Sequence, residues 1–202
     1  LEFSSNQRGV AVSDGEDIHS SIITNKLKTS PLSLIDEALQ KACFDRASIE
    51  VIALGVGPGS YTGIRSSIAT AQGWQLARNI KILPISSAEV LAATARNNGH
   101  RGMTHFVINA QRQEYYHCTW ELTEENHTER TPLSIIGTIE ATDLDAYGPD
   151  AEKLPDCDLL YPDATILAQL AASRTDIQQE ETIEPIYLRP TEFVKAPSAR
   201  KL

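Results

Sequence analysis

The residues best suited to chemistry lie in a glycine-rich loop at positions 55–65, which reads GVGPGSYTGIR. The apolar run 51–54 precedes it and a helical pattern follows, so the loop joins a strand to a helix. Backbone N–H groups at a helix N-terminus attract anions, which makes the loop a candidate phosphate site. The candidate residues share small or hydroxyl-bearing side chains and are Gly57, Gly59, Ser60, Thr62 and Gly63.

The loop departs from both common phosphate-binding patterns. No lysine follows a Walker-type glycine, and Ser60 stands where the dinucleotide pattern has its third glycine. Apart from Tyr61 and Arg65 the loop carries no titratable side chain, so it supplies neither a general acid nor a general base. A tight structural turn is therefore the favoured interpretation, and a phosphate-facing loop is the alternative.

Elsewhere the sequence offers no nucleophile–base pair and no metal-binding constellation, so we predict no catalytic residues and no metal ligands. The three cysteines are far apart and the five histidines are scattered, whereas zinc needs clustered donors. Isolated cysteines are typical of a reducing compartment, and a cytoplasmic location is predicted. No run of about 18 apolar residues is present, so no membrane span is expected.

Charge is distributed unevenly along the chain. The net charge is −9, and residues 121–182 carry 15 acidic and 3 basic side chains, whereas the other residues carry 12 acidic and 15 basic ones. An acidic surface repels phosphate backbones, so the chain is expected to be a poor autonomous binder of nucleic acid. Any RNA would then have to be held by a partner. An acidic surface kept for solubility explains the same pattern.

The predicted elements follow the order of an α/β protein in which antiparallel strands lead into a parallel core. Leu1 is expected to lie inside a first strand that begins before the numbered residues. The polar segment 96–101 marks a boundary between two subdomains, 1–98 and 99–202. The predicted strands are 1–5, 9–13, 18–23, 51–56, 82–85, 104–109, 114–121, 133–139 and 183–188. The predicted helices are 31–44, 62–78, one that starts at 86–89 and ends near 97–99, and 164–172. A capping box formed by Ser86 and Glu89 is predicted to start the third helix, and a basic tail, 191–202, ends the chain.

Two of the predicted helices have unusual faces. The first carries a second, half-apolar stripe beside its main one, formed by Leu34, Ala38 and Lys41. The second has a stripe with almost no side-chain bulk, formed by Ser66, Thr70, Gly73 and Ala77. A glycine inside a helix costs about 0.8–1.0 kcal/mol relative to alanine. Close approach of another helix, or tight packing on the chain's own sheet, is expected to compensate for that cost.

The glycine loop and its surroundings resemble the bacterial TsaB (YeaZ) family. The resemblance is carried by residues 57–65, 69–73 and 86–87, and weaker matches extend along nearly the whole chain at 2–5, 109–116, 162–164 and 187–190. It implies an ASKHA fold (the actin, sugar kinase and Hsp70 class, ribonuclease H-like) with two subdomains. In that fold the first hairpin and the glycine loop line an interlobe cleft, and in this family the nucleotide site is degenerate.

The resemblance also implies a noncatalytic, activating subunit. Family members dimerise through their first two helices with a catalytic paralogue, TsaD, and an ATPase, TsaE, recycles the complex. TsaD transfers a threonylcarbamoyl group to the adenosine beside the anticodon of tRNAs that read ANN codons. The implied interface residues are Leu34, Ala38, Lys41, Arg65, Ser66, Thr70, Gly73 and Ala77. The tRNA is contacted only through the complex, ATP or ADP is a candidate ligand of the interface, and the chain has no cofactor of its own.

Some positions depart from the family's pattern. Glu2 stands where an aspartate is expected near the phosphates, Phe3 replaces a threonine, and Asn109 and Gln111 replace a charged Asp and Arg. Each departure weakens a catalytic interpretation and leaves an interface interpretation intact. Two alternatives stay open. One is an independent ASKHA-type phosphoryl or acyl transferase or a glycopeptidase-like enzyme, and the other is a homodimer that uses the same helices.

Overall fold

A computed structural model of the chain describes residues 1–26, 28–150, 153–174 and 183–188. Within those ranges, strands and helices alternate in an α/β order, as predicted. The strands are β1 (Arg8–Ser13), β2 (Ile18–Thr24), β3 (Val51–Gly55), β4 (Lys81–Ile85), β5 (Gly102–Gln111), β6 (Glu114–Leu122), β7 (His127–Gly137), β8 (Ala146–Gly148) and β9 (Cys157–Leu159). The α-helices are α1 (Pro31–Ala42), α2 (Tyr61–Arg78), α3 (Ser87–Asn97), α4 (Thr138–Thr142) and α5 (Ala164–Ala172), and a short 3-10 helix covers Arg46–Ser48.

The first lobe joins an antiparallel hairpin to a parallel pair of strands. β1 pairs with β2 in the antiparallel sense, and β3 pairs with β4 in the parallel sense. Glu2, which precedes β1, and Gly9 of β1 exchange two backbone hydrogen bonds of 2.9 and 2.8 Å. The Leu1 nitrogen donates to the Ala53 carbonyl at 2.7 Å, and Gly55 N–H donates to the Leu1 carbonyl at 2.9 Å. The predicted first strand is therefore reduced to a bridge, which connects the hairpin to the parallel pair.

Helices α1 and α2 contribute to one buried cluster of the first lobe. Ile35 and Leu39 of α1 and Ile64 and Ile68 of α2 belong to this cluster together with side chains of the sheet. The spacing of four residues in each pair places both members on one face of their helix. α1 begins with Pro31, which suits the first helical position because its nitrogen needs no partner there.

The second lobe is a five-stranded sheet in the order β7-β6-β5-β8-β9. The predicted hairpin of β5 and β6 is confirmed, with Phe106 opposite Cys118. β7 begins six residues earlier than predicted, and β8, β9 and α4 were not predicted. Those three elements are only three to five residues long. Segments that short do not complete enough periods to be recognised from an apolar pattern.

Helices α3 and α5 connect the two lobes. Leu91 of α3 is buried in the cluster of the second sheet, whereas Val90 packs with Leu83 of β4 and Leu167 of α5. α5 lies against β1 and β3 of the first lobe. Residue 99 lies between β4 of the first lobe and β5 of the second. α5, which belongs to the predicted second subdomain, packs against the first lobe.

The predicted capping box at the start of α3 is absent. The Ser86 side chain makes no capping hydrogen bond. The Glu89 carboxylate instead accepts hydrogen bonds from Arg174 Nη2 at 2.7 Å to each oxygen. A long-range ion pair between the end of α5 and α3 thus replaces the local contact. A local sequence pattern could not predict Arg174 as the partner of Glu89, because the two residues are 85 positions apart.

Two further predictions concern the end of the chain. Residues 183–188 were predicted as a strand, but they have no strand assignment. One backbone bond holds them, from Ile186 N–H to the Val56 carbonyl at 2.8 Å. The predicted basic tail, 191–202, lies outside the described residues. Over the part of the chain that the structure describes, none of the helices has the length and apolar character that a membrane span requires.

Candidate functional site

The glycine loop connects β3 to α2 in a conformation that requires glycine. Gly57 and Gly59 have φ angles of +96° and +146°, which confirms that at least one loop glycine has positive φ. A Cβ atom at Gly59 would collide with the Ser4 carbonyl oxygen, and one at Gly63 with the Phe3 carbonyl oxygen. The loop therefore packs closely against the chain's first residues. Glycine is required because there is no room for a Cβ atom and because the φ angles are positive.

Three of the N–H groups that made the loop a phosphate candidate are occupied within the chain. Gly57 N–H donates to Ser87 Oγ at 3.2 Å, and Ser60 N–H donates to the Ser4 carbonyl at 2.6 Å. Ser60 caps α2 by accepting from Gly63 N–H at 3.3 Å. An anion would have to displace these bonds. The geometry therefore favours the tight structural turn over a phosphate cradle in this conformation.

Glu2, the only carboxylate near the first hairpin that was considered for chemistry, is fully buried. Its Oε1 accepts from Ser4 N–H at 2.8 Å, and its Oε2 accepts from Ser87 Oγ at 3.1 Å. Gly55 lies against the carboxylate, and a Cβ atom there would collide with Oε2. Burial raises the pKa of Glu2, although the hydrogen bonds from Ser4 and Ser87 oppose the shift. The carboxylate therefore links the first segment to the glycine loop and α3.

Ser87 was matched to the family but was not predicted to hold this network together. Its hydroxyl lies between Gly57 N–H and the Glu2 carboxylate, and its own N–H donates to the Gly57 carbonyl at 2.7 Å. Its side chain is fully buried. Glu2 and Ser87 are 85 positions apart, so only the paired serines at 86–87 in the resemblance signalled the residue's importance.

The outer face of α2 is open to solvent. A Cβ atom added at Gly73 would meet no heavy atom within 4 Å among the described residues. Gly73 and Ala77 are exposed, and Leu76 beside them is 90% exposed. The alternative that Gly73 packs on the chain's own sheet is therefore excluded for the described residues.

The predicted small-residue stripe is displaced from the centre of this open face. Ser66 and Thr70 are half-buried, and the Thr70 hydroxyl donates to the Ser66 carbonyl at 2.8 Å. The open face follows a neighbouring row instead, because the sequence pattern fixes which residues align but not how the helix rolls on its sheet. We call this row the α2 face, and it consists of Tyr61, Arg65, Ala69, Gln72, Gly73 and Leu76.

The interface residues predicted on α1 are mostly unavailable. Leu34 and Ala38 are buried at 3% and 0% exposure, in the same cluster as Ile35 and Leu39. The two predicted stripes are thus one broad apolar face that belongs to the chain's own core. Lys41 is exposed and forms an ion pair with Glu37 at 3.2 Å. Of the three predicted positions, only Lys41 can meet a partner in this conformation.

At the N-terminal end of the α2 face three planar groups stack on one another. The rings of Tyr61 and Tyr187 have centroids 5.6 Å apart and an interplanar angle of 26°. The Arg65 guanidinium lies over the Tyr61 ring, 5.2 Å from its centroid. Tyr61 and Tyr187 are 59% and 39% exposed. We call this stack of Tyr187, Tyr61 and Arg65 the aromatic column.

The segment at 109–116 comprises the end of β5, the exposed turn at Arg112 and Gln113, and the start of β6. Asn109 Oδ1 accepts from Gln111 N–H at 2.7 Å. Gln111, Arg112 and Gln113 have φ angles of +64°, +57° and +62°. The ion pair that the family's Asp and Arg allow is thus replaced by a neutral side chain-to-backbone bond. Searched over the described residues, the chain contains no cluster of three or more His, Cys, Asp or Glu side chains that could hold a metal.

The comparisons with known proteins agree with this geometry. The family model described as "TsaD: tRNA N6-adenosine threonylcarbamoyltransferase" matches residues 18–185. A TsaB protein of Haemophilus influenzae, named for tRNA threonylcarbamoyladenosine biosynthesis, is 27% identical over 87% of this chain and 85% of the relative. The TsaB protein of Escherichia coli is 28% identical over 78% of each chain.

Two solved structures from Pseudomonas aeruginosa have the same fold. One is described as a protein similar to peptidase YeaZ, with a TM-score of 0.79, 23% identity and coverage of 94% of this chain and 97% of the other. The other is YeaZ, with a TM-score of 0.75, 24% identity and coverage of 93% and 97%. The predicted ASKHA-type fold is confirmed, and so is the resemblance to TsaB proteins.

Proposed function

Because the chain belongs to the family of TsaD, the tRNA N6-adenosine threonylcarbamoyltransferase, we propose that it serves threonylcarbamoyladenosine biosynthesis as an activating subunit. It acts by binding the catalytic paralogue TsaD and performs no chemistry itself. The relatives named TsaB, after the same biosynthesis, support this assignment within the family. The proposed place of action is the cytoplasm.

The observation that carries the proposal is the open α2 face. Its central residues, Ala69 and Gly73, have almost no bulk, and nothing within the described chain covers Gly73. A helix with small residues on one side allows another helix backbone to approach closely. Helices that meet in this way form a bundle with core-like packing. α2 thus provides a site for a partner's helix.

The state of the first hairpin supports a noncatalytic role. Glu2 is fully buried and bonded to Ser4 and Ser87, so its carboxylate does not reach a substrate. The N–H groups of Gly57 and Ser60 bond within the chain. Where an ASKHA enzyme would hold phosphates, this chain uses the same positions for its own packing. A nucleotide, ATP or ADP, is accordingly proposed only for the joint interface of the complex.

The remaining assignments follow from the proposed complex. TsaD transfers the threonylcarbamoyl group to the adenosine beside the anticodon of tRNAs that read ANN codons, and TsaE recycles the assembly. The tRNA is held by the complex. Since residues 121–182 carry 15 acidic against 3 basic side chains, we expect the isolated chain to lose tRNA between about 50 and 200 mM salt. Salt-resistant binding by the chain alone would argue for a direct role in RNA recognition.

Co-purification with the cognate TsaD, followed by a tRNA-modification assay with and without this chain, tests the proposal. We expect modification only with both proteins. Gly73→Leu should abolish the complex because it overpacks the contact. It should not lower the melting temperature of the isolated chain, since Gly73 has open space around it among the described residues and leucine is the better helix former. Ile139→Ala is the matched control, because Ile139 is 83% exposed on α4 of the other lobe.

Two outcomes would overturn the proposal. One is steady ATP turnover by the chain alone that Glu2→Gln abolishes, which would make it an enzyme. The other is a stable homodimer that excludes TsaD at equal concentrations, since a surface suited to a paralogue can also bind its own copy. Size-exclusion chromatography of the chain with and without TsaD separates the two assemblies.

A further inference from the structure

The aromatic column lies at one end of the α2 face, whereas the proposal above rests on the centre of that face, Ala69 and Gly73. Tyr61 and Arg65 are four residues apart and Leu76 is eleven beyond Arg65, so all three fall on one row of the helix. The row has bulky ends, Tyr61 and Leu76, about 22 Å apart along the axis. Between them lie the small residues Ala69 and Gly73. This profile suits a helix laid along α2 that contacts both ends.

We propose that the aromatic column is the anchor by which the chain binds its protein partner, and that Arg65 receives a carboxylate of that partner. This inference rests on the proposed function, because it takes the partner to be the catalytic paralogue. It adds the residues that provide most of the affinity and the chemistry of the group that meets them.

The column is ordered before any partner arrives. Tyr187 is held by its neighbour Ile186, whose N–H bonds to the Val56 carbonyl at 2.8 Å. Tyr61 is the first residue of α2, and its ring is in contact with both the Tyr187 ring and the Arg65 guanidinium. Side chains that are already stacked lose little conformational entropy on binding. An exposed tyrosine pair with an arginine has the composition of an interface hot spot.

Arg65 is positioned to accept an anionic group. Arg65 is exposed, it forms no ion pair among the described residues, and its guanidinium carbon lies 5.2 Å from the centroid of the Tyr61 ring. A guanidinium is planar and presents two parallel N–H donors, which match the two oxygens of a carboxylate. A partner that carries Glu or Asp opposite Arg65 would therefore be selected over one that carries a cation.

A protein partner fits these observations better than RNA. The column contains a single cation, whereas single-stranded RNA is held by grooves with several cations that follow its backbone. Beyond the column, the α2 face continues through Gly73 to Leu76. Neither residue has a side chain with a charge or a hydrogen-bond donor that could bind a phosphate. The continuity of the row along α2 is a property of a helix-binding surface.

Titration of TsaD with variants of the chain tests the inference. Tyr61→Ala and Tyr187→Ala should each weaken binding about 30-fold, as expected of hot-spot residues. Tyr61→Phe keeps the stack and should retain the parent affinity. Arg65→Lys keeps the charge but loses the planar fork, so a loss of about tenfold is expected. Ile139→Ala serves as the control, and thermal melting of each variant confirms that it is folded.

The outcomes separate this inference from the proposed function. If Gly73→Leu prevents binding but Tyr61→Ala and Tyr187→Ala do not, the column is not the anchor, although the proposed interface stands. If Gly73→Leu and Tyr61→Ala both leave binding intact, the interface and the anchor are both wrong. If Tyr61→Ala leaves affinity for TsaD unchanged but weakens tRNA binding by the assembled complex, the column contacts RNA and its assignment to a protein partner is overturned.

Discussion

Two glycines of the same helix have opposite surroundings. Gly63, in the first turn of α2, lies so close to the first segment that a Cβ atom would collide with the Phe3 carbonyl oxygen. Gly73, ten residues later, has no heavy atom of the described chain within 4 Å of where its Cβ would stand. The first glycine is required by the chain's own packing. The second destabilises the helix relative to alanine, and no contact within the described chain compensates for that cost.

The difference shows how one helix is divided between folding and binding. The start of α2 is fixed by internal bonds, from Ser60 N–H to Ser4 and from Gly63 N–H to Ser60. The rest of the helix keeps one face buried and leaves the other open. Substitutions at the start should therefore act on the stability of the isolated chain, whereas substitutions on the open face should act on the complex.

The largest effect is expected for Gly59→Ala. The new Cβ atom collides with the Ser4 carbonyl, for which overpacking costs about 1–3 kcal/mol. The φ angle of +146° adds about 1–2 kcal/mol because alanine disfavours that region. Urea unfolding of the isolated chain measures the loss. We also expect weaker binding to TsaD, since the displaced loop moves the start of α2.

Gly15→Ala is the matched control for this prediction. Gly15 has a φ angle of +97° in the β1–β2 turn, but no heavy atom of the described residues lies within 4 Å of its Cβ position. Only the strain of about 1–2 kcal/mol should appear there. Equal losses at both positions would mean that the loop is not tightly packed. Unchanged stability for Gly59→Ala together with lost nucleotide binding by the complex would restore the phosphate-cradle interpretation.

The next effect concerns Gly63→Ala. Alanine is the better helix former, yet its Cβ atom would meet the Phe3 carbonyl oxygen, which is part of the backbone and cannot rotate away. We expect a net destabilisation of about 1–3 kcal/mol, measured by the urea midpoint. A stabilised variant would show that the first segment moves aside easily and that the contact contributes little.

Much of this arrangement could be predicted from the sequence. The glycine loop, helices α1 and α2 of the first lobe and the hairpin of β5 and β6 are long or strongly marked segments, and their local patterns suffice. α5 was predicted with its observed limits because Asp163 caps it, accepting from Thr165 N–H at 2.6 Å. The family resemblance supplied the fold class, which local patterns do not determine.

What could not be predicted depends on contacts between distant residues. The assignment of Leu34 and Ala38 to an interface was wrong because their burial depends on how α1 lies against the sheet. Ser87 and Tyr187 belong to the site through partners 85 and more than 100 positions away, Glu2 and Tyr61. The spacing of residues in the sequence shows which side chains share one face of a helix. It does not show which other part of the chain packs against that face.

A smaller, pH-dependent effect is expected at Glu2. Burial raises its pKa in the folded chain above the ordinary value of about 4.3. The protonated carboxyl therefore stabilises the fold fully below about pH 4.3, and this contribution is lost as pH rises through the folded-state pKa. Glu2→Gln stays neutral throughout. We expect its urea midpoint to exceed that of the parent by an amount that grows from pH 4 towards pH 7.

Glu16→Gln, at an exposed turn position, is the control and should give no such trend. A pH-independent difference for Glu2→Gln would mean that the substitution acts only through altered hydrogen bonds to Ser4 and Ser87. A difference that shrinks as pH rises would mean that the folded state prefers the ionised carboxylate, contrary to the burial argument. Activity of the complex should be unchanged, because Glu2 contacts no substrate in the proposed role.

The smallest effect is expected for Gly73→Ala, which should stabilise the isolated chain, whereas Gly63→Ala is expected to destabilise it. With open space around the new methyl group, the isolated chain should gain about 0.8–1.0 kcal/mol from helix propensity alone. Ala69→Gly, an exposed position one turn earlier, should lose the same amount. Urea unfolding of the two variants measures these two changes in the free energy of unfolding. If Gly73→Ala also weakens TsaD binding, the partner's backbone approaches within a methyl group of α2. If Gly73→Ala destabilises the isolated chain, Gly73 is covered internally, and the contrast between the two ends of the helix does not hold.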